Sequence, residues 1–441
     1  MTTFDLFLLH DPVRDKKPRS RLVCSGDGLS ELVQETLSEI YLRRTRGEVS
    51  RYFVSQLGVS QLTEERLRRP NKHWFQLVFL QKLLKLWRDS CDKPPAEVES
   101  RKQAFFTRIE FLRVNLCNSV AVVAPKHLTL TLCKIAGAHA ADGTLADCFF
   151  CITDRSRENI LAFQNWVFES FAFKPRVSCN GPNEWRLAFH NKAFVRYLQV
   201  FFGFPLSSKL FTVREPYVIR AAELRYRQAF ALGVLSFEAG ICISREVAFC
   251  VASKQFRDDV CDILSLSEIQ FKQPEKISGG YWRFWSGRLS RDSALKWLDF
   301  FEPKTEKWFK LFELANGFQG KAKTFEEAMS AFDSVFYNNS ANKVCFKDVL
   351  LIISRLQQTH RYELASEIVK LNGLSSFGGK WAHSLRYYLD FLVDAKVVSV
   401  SVVDFGPKKS FGRIRRQVYS FNPNVSSWRV PYRPWLAASA T

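Results

Sequence analysis

The chain has 441 residues with 64 Lys and Arg against 44 Asp and Glu, which gives a formal net charge of +20 at pH 7. Hydrophobic residues make up 46% of it, enough to build cores, and a chain of this length normally folds as more than one domain. The excess of positive charge predicts a polyanionic partner, because Lys and Arg side chains release counterions when they bind phosphates. No apolar run approaches the roughly 18 to 20 residues that a membrane-spanning helix needs. The composition therefore favours a nucleic acid over a membrane as the partner.

The N-terminal sequence and the cysteines favour a reducing cytoplasm. In MTTFDLFLLHDPVRDKK the charges follow the short apolar stretch, whereas a secretory signal has them before it. The 11 cysteines are scattered, often in apolar stretches where a reduced cysteine packs as a small hydrophobic side chain. Cys148 and Cys151 are close in sequence but lack a second pair or a nearby His at metal-ligand spacing. We interpret them as packing residues.

Residues 1–125 are predicted to form an N-terminal helical domain, because apolar residues recur at helical spacing between about residues 28 and 115. The segment GEVSRYFVSQLGVSQLTEERLRR is typical of a helix-turn-helix. A first helix would run through Leu57, the chain would turn at Gly58, and Ser60 would cap a second helix with a basic end. An ordinary pair of antiparallel helices has the same pattern, and only the charge favours DNA binding.

Residues 126–318 repeat one order of elements. Short aromatic and β-branched runs such as DCFFCIT and EWRLAFH predict strands, and amphipathic stretches between them predict helices. The order helix, two strands, helix, two strands, helix occurs in residues 126–225 and again in residues 226–318. This repetition predicts two structurally equivalent halves.

The last part of the chain is predicted to be a winged helix-turn-helix at residues 344–425, after a basic linker at 319–343 and before a tail at 426–441. Three amphipathic stretches are followed by two strands that flank the basic loop PKKSFGRIRR. A solvated basic loop without a partner is the alternative interpretation. The residues expected to contact DNA from the third helix and the wing are Lys380, His383, Arg386, Lys408, Lys409, Arg413, Arg415 and Arg416.

Each half of residues 126–318 opens with a helix that ends at an acidic residue. The two sequences are LCKIAGAHAADGTL, which contains Asp142, and AFALGVLSFEAGIC, which contains Glu238. The two acids are 96 positions apart. Either motif alone would suit an ordinary helix end, but the duplication indicates a shared function.

These motifs resemble those of the LAGLIDADG homing endonucleases, in the form that carries both halves in one chain. Read position by position, the family motif corresponds to IAGAHAADG at residues 135–143 and to ALGVLSFEA at residues 231–239, and GFPLSSKLFTVREP resembles the basic connection before the second motif. The resemblance implies an α+β fold with two αββαββα repeats, whose saddle-shaped antiparallel sheets are related by a pseudo-twofold axis. Small residues such as Gly137 and Gly233 would let the two motif helices pack closely along this axis.

The resemblance also implies a metal-dependent, site-specific endonuclease whose core acts on double-stranded DNA as a monomer. Asp142 and Glu238 would bind Mg²⁺, or Mn²⁺, beside the scissile phosphates. Asp154 and Arg155 follow the motif at the end of the strand DCFFCIT, and Arg155 would assist catalysis. The two sheets would lie in the major groove. The other residues expected to contact DNA are Arg176, Arg186, Lys209, Lys254, Lys272, Arg283 and Arg288.

The second motif departs from the family pattern. Ala239 replaces the usual Gly, and Ile241 and Cys242 stand where a basic or polar group is expected, with Arg245 and Lys254 as the nearest alternatives. These departures predict a catalytically impaired second half. A DNA-binding regulator that no longer cleaves is therefore a second hypothesis. An RNA-splicing maturase is a third, which the narrow major groove of A-form RNA disfavours.

Overall fold

The computed structural model describes residues 3–57, 74–116, 119–181, 184–206, 208–242, 245–333, 346–371, 373, 380–407 and 413–432. The predicted second helix of the N-terminal helix-turn-helix and the tip of the predicted wing, with Lys408 and Lys409, lie outside these residues. The chain divides into two compact units, Met1–Glu238 with Val251–Ser267, and Ala239–Cys250 with Glu268–Thr441. Within the described residues, no helix combines the length and the apolar character that crossing a membrane requires.

The first unit begins with helices and a small antiparallel sheet. The helices are α1 (Leu29–Tyr41), α2 (Arg46–Leu57), α3 (Leu77–Cys91) and α4 (Pro95–Arg108). The strands are β1 (Leu22–Ser25), β2 (Phe75–Gln76), β3 (Phe111–Val114) and β4 (Val122–Val123), in the order β2-β1-β3-β4. The prediction of a purely helical region is therefore incomplete. These strands have two to four residues, too few to show a period of two.

A buried ion-pair network joins the N-terminal segment to the first repeat. Asp15 lies 2.5 Å from Lys192 and 3.5 Å from Arg196, and all three side chains are buried. Burial alone would raise the pKa of Asp15, but hydrogen bonds from His10 and Lys192 hold the pKa below its ordinary value. Residues 1–125 are thus tied to the first repeat by charges that water does not screen.

The first repeat has the predicted order of elements. Its helices are α5 (Leu130–Asp142), α6 (Arg157–Phe171) and α7 (Lys192–Val200). Its strands are β5 (Thr144–Leu145), β6 (Phe149–Asp154), β7 (Val177–Gly181) and β8 (Glu184–His190), paired in the order β5-β6-β8-β7. Phe150 and Ile152 of β6 are buried, whereas Phe149, Cys151 and Thr153 are not. One face of this antiparallel sheet therefore packs into the core and the other is open.

The second repeat follows a short helix, α8 (Tyr217–Arg220). Its helices are α9 (Leu224–Glu238), α10 (Lys254–Leu266) and α11 (Arg291–Leu298). Its strands are β9 (Gly240–Cys242), β10 (Glu246–Val251), β11 (Glu275–Lys276) and β12 (Trp282–Trp285), in the order β9-β10-β12-β11. This is the strand order of the first repeat. Val247 and Phe249 are buried in alternation, so this sheet also has one open face.

The remaining residues form one further hydrophobic core in the second unit. Helix α12 (Glu306–Asn316) precedes this core, whose own helices are α13 (Phe325–Asp333), α14 (Phe346–Leu356), α15 (Arg361–Leu371) and α16 (Lys380–Asp394). Its strands are β13 (Gly320–Lys321), β14 (Gln358–His360), β15 (Val398–Pro407), β16 (Arg413–Phe421) and β17 (Arg429–Val430). One sheet has the order β14-β16-β15, and β13 pairs with β17. The strand β14 was not predicted.

The predicted linker at 319–343 requires correction. Ala328 and Phe332 are buried in the same core as Ile353 and Leu389, and the pairing of β13 with β17 joins this segment to the predicted tail. The apolar residues of the short helix α13 hold the described residues 319–333 in place, so the compact region begins near Phe318.

Candidate metal site and nucleic-acid interface

The motif helices α5 and α9 pack backbone to backbone at two glycines. A side chain at Gly137 would clash with the carbonyl oxygen of Phe230, and one at Gly233 would clash with the carbonyl oxygen of Lys134. Gly137 and Gly233 are 96 positions apart, and so are Lys134 and Phe230. The two contacts are therefore equivalent under a pseudo-twofold relation. The close approach predicted from the small residues is present, and it requires glycine at both positions.

The two motif acids are the last residues of these helices. Asp142 ends α5 and is exposed, and Glu238 ends α9 and is half-buried. Like the glycines, the acids are 96 positions apart. Each carboxylate thus stands at the negative end of a helix dipole, where a cation is favoured.

Lys209 provides a cation at the end of α5. Its Nζ donates hydrogen bonds to the carbonyl oxygens of His139, Ala140 and Ala141, the last two at 2.9 and 3.2 Å. Carbonyl groups in the last turn of a helix have few partners inside the helix, so a lysine here satisfies them. From the sequence, Lys209 was expected to contact DNA. Its ammonium group is instead engaged within the protein.

The pKa of Lys209 depends on both motif acids. Burial lowers the pKa of Lys209 to about 7, although the charges of Asp142 and Glu238 act in the opposite direction. Both carboxylates are therefore within electrostatic reach of one ammonium group. Asp142 and Glu238, at the C-terminal ends of α5 and α9, therefore both act on the charge of Lys209.

His139 accounts for the glycine that follows the first acid. A side chain at Gly143 would overlap the Nδ1 atom of His139. The His139 ring is buried, with its centroid 4.5 Å from that of Phe204 and 5.8 Å from that of Phe150. Among the described residues, neither ring nitrogen has a hydrogen-bond partner. Burial, with the nearby charge of Lys209, lowers the pKa of His139 below its ordinary value.

The second motif does not require a glycine directly after its acid. Leu235 stands 96 positions after His139, and Ala239 stands 96 positions after Gly143. With leucine in place of histidine, no imidazole ring demands a glycine after Glu238. The departure at Ala239 thus has a packing explanation and is not by itself a sign of lost function.

A buried asparagine connects the first sheet to α9. Asn159 Nδ2 donates to a carboxylate oxygen of Asp154 at 3.1 Å and to the carbonyl oxygen of Ser236 at 2.9 Å. The other carboxylate oxygen of Asp154 accepts from the backbone N–H of Ser156 at 2.6 Å. Ser236 lies two residues before Glu238, so this network holds the last turn of α9. This role of Asn159 could not be predicted from the sequence, because a polar residue in an amphipathic helix is ordinarily exposed.

The remaining basic candidates of the first unit are mostly on the surface. Arg155, Arg176 and Lys254 are exposed. Arg186 is half-buried on the open side of β8, where its Nε donates to the Sγ of Cys151 at 3.1 Å. Arg155 and Arg176 are therefore open to a partner, whereas Arg186 is partly held by the sheet.

The open side of the second sheet carries a tryptophan ring with two cations near it. The Arg283 guanidinium lies 5.0 Å from the ring centroid of Trp285, and the Lys272 ammonium lies 5.8 Å from it. Both cationic residues are exposed. Arg288 does not belong to this group, because its guanidinium lies 2.9 Å from the carboxylate of Asp390 in α16.

The candidates of the C-terminal region differ in their surroundings. Arg386 is exposed. Arg416 is half-buried, with its guanidinium 5.4 Å from the ring centroid of Tyr362 and 3.2 Å from the Nε2 of His360. The side chains of Lys380, His383, Arg413 and Arg415 lie outside the described part of the structure.

The donor set at the helix ends is small. Within the described residues, no group of three or more His, Cys, Asp and Glu side chains is arranged to hold a metal ion. Mg²⁺, however, is commonly held by one or two carboxylates together with water and substrate phosphates. Asp142 and Glu238 therefore suit such an ion in chemistry and number, and Lys209 would compete with it for the same negative charge.

No protein-family model and no curated protein matches the chain. Similar solved structures include mesophilic variants of the homing endonuclease I-DmoI, at 14% identity and a TM-score of 0.30, covering 39% of this chain and 94% of that one. I-DmoI in complex with DNA and Mn has 14% identity and a TM-score of 0.27, covering 35% and 88%. Full-length DUF199/WhiA from Thermatoga maritima has 11% identity and a TM-score of 0.28, covering 60% and 91%. At such identities and scores, these similarities assign neither an activity nor a partner to the chain.

Proposed function

We propose that the chain is a metal-dependent endonuclease that cleaves double-stranded DNA at specific sites, with a monomeric core of the LAGLIDADG homing type. The packing of α5 against α9 at Gly137 and Gly233 carries the proposal, because it brings Asp142 and Glu238 within reach of one lysine. A net charge of +20 supports an anionic substrate.

Asp142 and Glu238 would be the residues that hold Mg²⁺ or Mn²⁺. The bound ion would supply an activated water and neutralise charge on the phosphate that is cut. Lys209, whose pKa is about 7, offsets part of the negative charge of the two acids and fixes the last turn of α5. Arg155, exposed at the end of β6, is available to a phosphate near Asp142.

The open faces of the two sheets would contact the duplex. Arg186 on the first sheet, and Arg283 with Lys272 on the second, lie on or beside these faces, and an arginine can read guanine in the major groove through two hydrogen bonds. The order α14, β14, α15, α16, β15, β16 supports a winged helix-turn-helix as a further DNA-binding part. Exposed Arg386 is its best described candidate.

The test combines site selection with two substitutions. Duplexes bound in EDTA are first selected from a randomised library, and the selected sites are then incubated with Mg²⁺ or Mn²⁺. Asp142→Asn and Glu238→Gln keep the side-chain volume and remove the charge that holds the ion. Each is expected to lower cleavage by at least about 100-fold while duplex affinity stays equal or rises. Asp299→Asn removes an exposed carboxylate elsewhere and serves as the matched control.

A DNA-binding regulator without cleavage is the second candidate, and one observation favours it. Arg245, the nearest basic alternative for the second half, is engaged by Asp394 in the DNA-free protein, so it would reach a phosphate only after this ion pair is exchanged. If selected sites remain intact with Mg²⁺ and Mn²⁺, the regulator replaces the enzyme. If both substitutions leave cleavage intact, the assigned acids are wrong.

A further inference from the structure

Two arginines of the second repeat are held by one helix of the C-terminal region. Arg288 Nη2 lies 2.9 Å from a carboxylate oxygen of Asp390, and the guanidinium of Arg245 forms an ion pair with Asp394. The backbone N–H of Leu289 donates to the carbonyl oxygen of Arg245 at 2.8 Å, so the two arginines stand on adjoining loops. We call them the arginine pair.

Helix α16 receives both members of the arginine pair in the same way. Asp390 and Asp394 are one helical turn apart, and an aromatic residue precedes each of them by three positions. The guanidinium carbons lie 5.9 Å from the ring centroid of Tyr387 and 5.1 Å from that of Phe391. Each arginine thus has a carboxylate and a ring face, the two surfaces that suit a guanidinium.

The unfavourable backbone conformation of Arg245 indicates that its side chain has a function. Its φ is 63°, in the left-handed region that favours glycine or asparagine. Its Nε is buried and, among the described residues, has no hydrogen-bond partner. The contact with Asp394 therefore leaves part of this guanidinium unsatisfied, although its position is conformationally costly.

Both ion pairs are partly exposed to water, so another anion can replace their carboxylates. The side chains of Arg288 and Asp394 are each 46% exposed, and ion pairs in contact with water are weak. A phosphate accepts hydrogen bonds from a guanidinium with the same geometry as a carboxylate. Backbone phosphates of a duplex can therefore replace the two carboxylates.

We propose that Arg245 and Arg288 form a binding site for the phosphates of duplex DNA, which Asp390 and Asp394 occupy in the DNA-free protein. This inference rests on the proposed function as a duplex-binding protein. It assigns α16 a role different from the one predicted for a third helix, because one of its faces is used to cover a phosphate site. Duplex binding at the arginine pair then requires α16 to withdraw from it.

The test compares two variants that change the net charge equally. Asp390→Asn with Asp394→Asn uncovers the arginine pair, whereas Asp299→Asn with Glu326→Gln removes two exposed carboxylates outside the contact. Affinity for a mixed-sequence duplex is measured by fluorescence anisotropy in EDTA over a range of salt concentrations. The first variant is expected to bind about three- to tenfold more tightly than the second at low salt, with a slope of log affinity against log salt steeper by up to about 2.

A third variant, Arg245→Gln with Arg288→Gln, tests whether the arginine pair itself causes the change in duplex affinity. It should bind the duplex more weakly, and in its background the Asp390 and Asp394 substitutions should have no further effect. The proposal is overturned if the Asp390 and Asp394 substitutions still raise duplex affinity when both arginines are replaced. It is also overturned if the control variant raises duplex affinity by the same amount. If the aspartate variant does not fold by circular dichroism, an unchanged duplex affinity of the arginine variant overturns it instead. If the unmodified protein binds no duplex at low salt, the proposed function itself fails.

Discussion

Replacing Lys209 with methionine is expected to flatten the pH dependence of stability above pH 7. Burial lowers the pKa of Lys209 to about 7, from an ordinary value of 10.5. Between these two values the unfolded chain binds a proton that the folded protein does not. The free energy of unfolding of the unmodified protein should therefore rise with pH, by up to about 1.4 kcal/mol per pH unit. Below pH 7 both states hold the proton, and this contribution is constant.

The assay is urea unfolding followed by tryptophan fluorescence, in EDTA, at about pH 7, 8 and 9. Methionine keeps the length of the side chain and titrates nowhere in this range, so the variant should show a smaller slope of unfolding free energy against pH. Lys174→Met, at an exposed lysine, should keep the slope of the unmodified protein. Equal slopes for all three proteins would refute the placement of the Lys209 ammonium among the carbonyl groups of α5.

Two further predictions concern the motif helices. Gly137→Ala and Gly233→Ala should each destabilise the fold by about 1–3 kcal/mol or more through overpacking. Gly47→Ala is the control, because the space around a Cβ atom at this position is open, and it should stabilise the fold by about 0.5–1 kcal/mol. Thermal unfolding measures both effects. His139→Leu should stabilise by about 1–3 kcal/mol, because it removes buried nitrogens without partners. Burial and the charge of Lys209 lower the pKa of His139, so the unmodified protein should lose stability as the pH falls below about 6.5, and the leucine variant should lose less.

The repeated core could be predicted because its signals are local. Small residues in a helix that ends at an acid mark both α5 and α9, and short aromatic and β-branched runs mark strands such as β6 and β10. Gly137 and Gly233 are 96 positions apart, as are Asp142 and Glu238, and this shared spacing is visible in the sequence itself. The contact of each glycine with the opposite backbone follows from that pattern.

The partners of the polar residues could not be predicted, because they depend on tertiary contacts. Lys209 was one of many basic residues, and nothing in its surroundings in the sequence indicates that it ends among the carbonyl groups of α5. Arg288 was assigned to DNA, and its contact with Asp390 joins residues 102 positions apart. Residues 319–343 were interpreted as a linker from their glycines and lysines, although Phe332 anchors the described part, 319–333, in a core.

The two acids are held by different means, and this asymmetry predicts unequal cleavage of the two DNA strands. Lys209 binds the last turn of α5, which carries Asp142, whereas Asn159 binds the last turn of α9, which carries Glu238. Phe256 stands 97 positions after Asn159, at the matching place after the N-cap serine of its helix, so the second repeat has no equivalent amide there.

If each acid serves one scissile phosphate, Asn159→Leu should loosen Glu238 and slow the cut of one strand by about 10-fold or more, so that nicked plasmid accumulates before linear product. Phe256→Leu, a change of similar size at the matching position, should lower both cuts alike through stability. Equal loss of both cuts in the Asn159 variant would contradict the role of this asparagine in positioning Glu238.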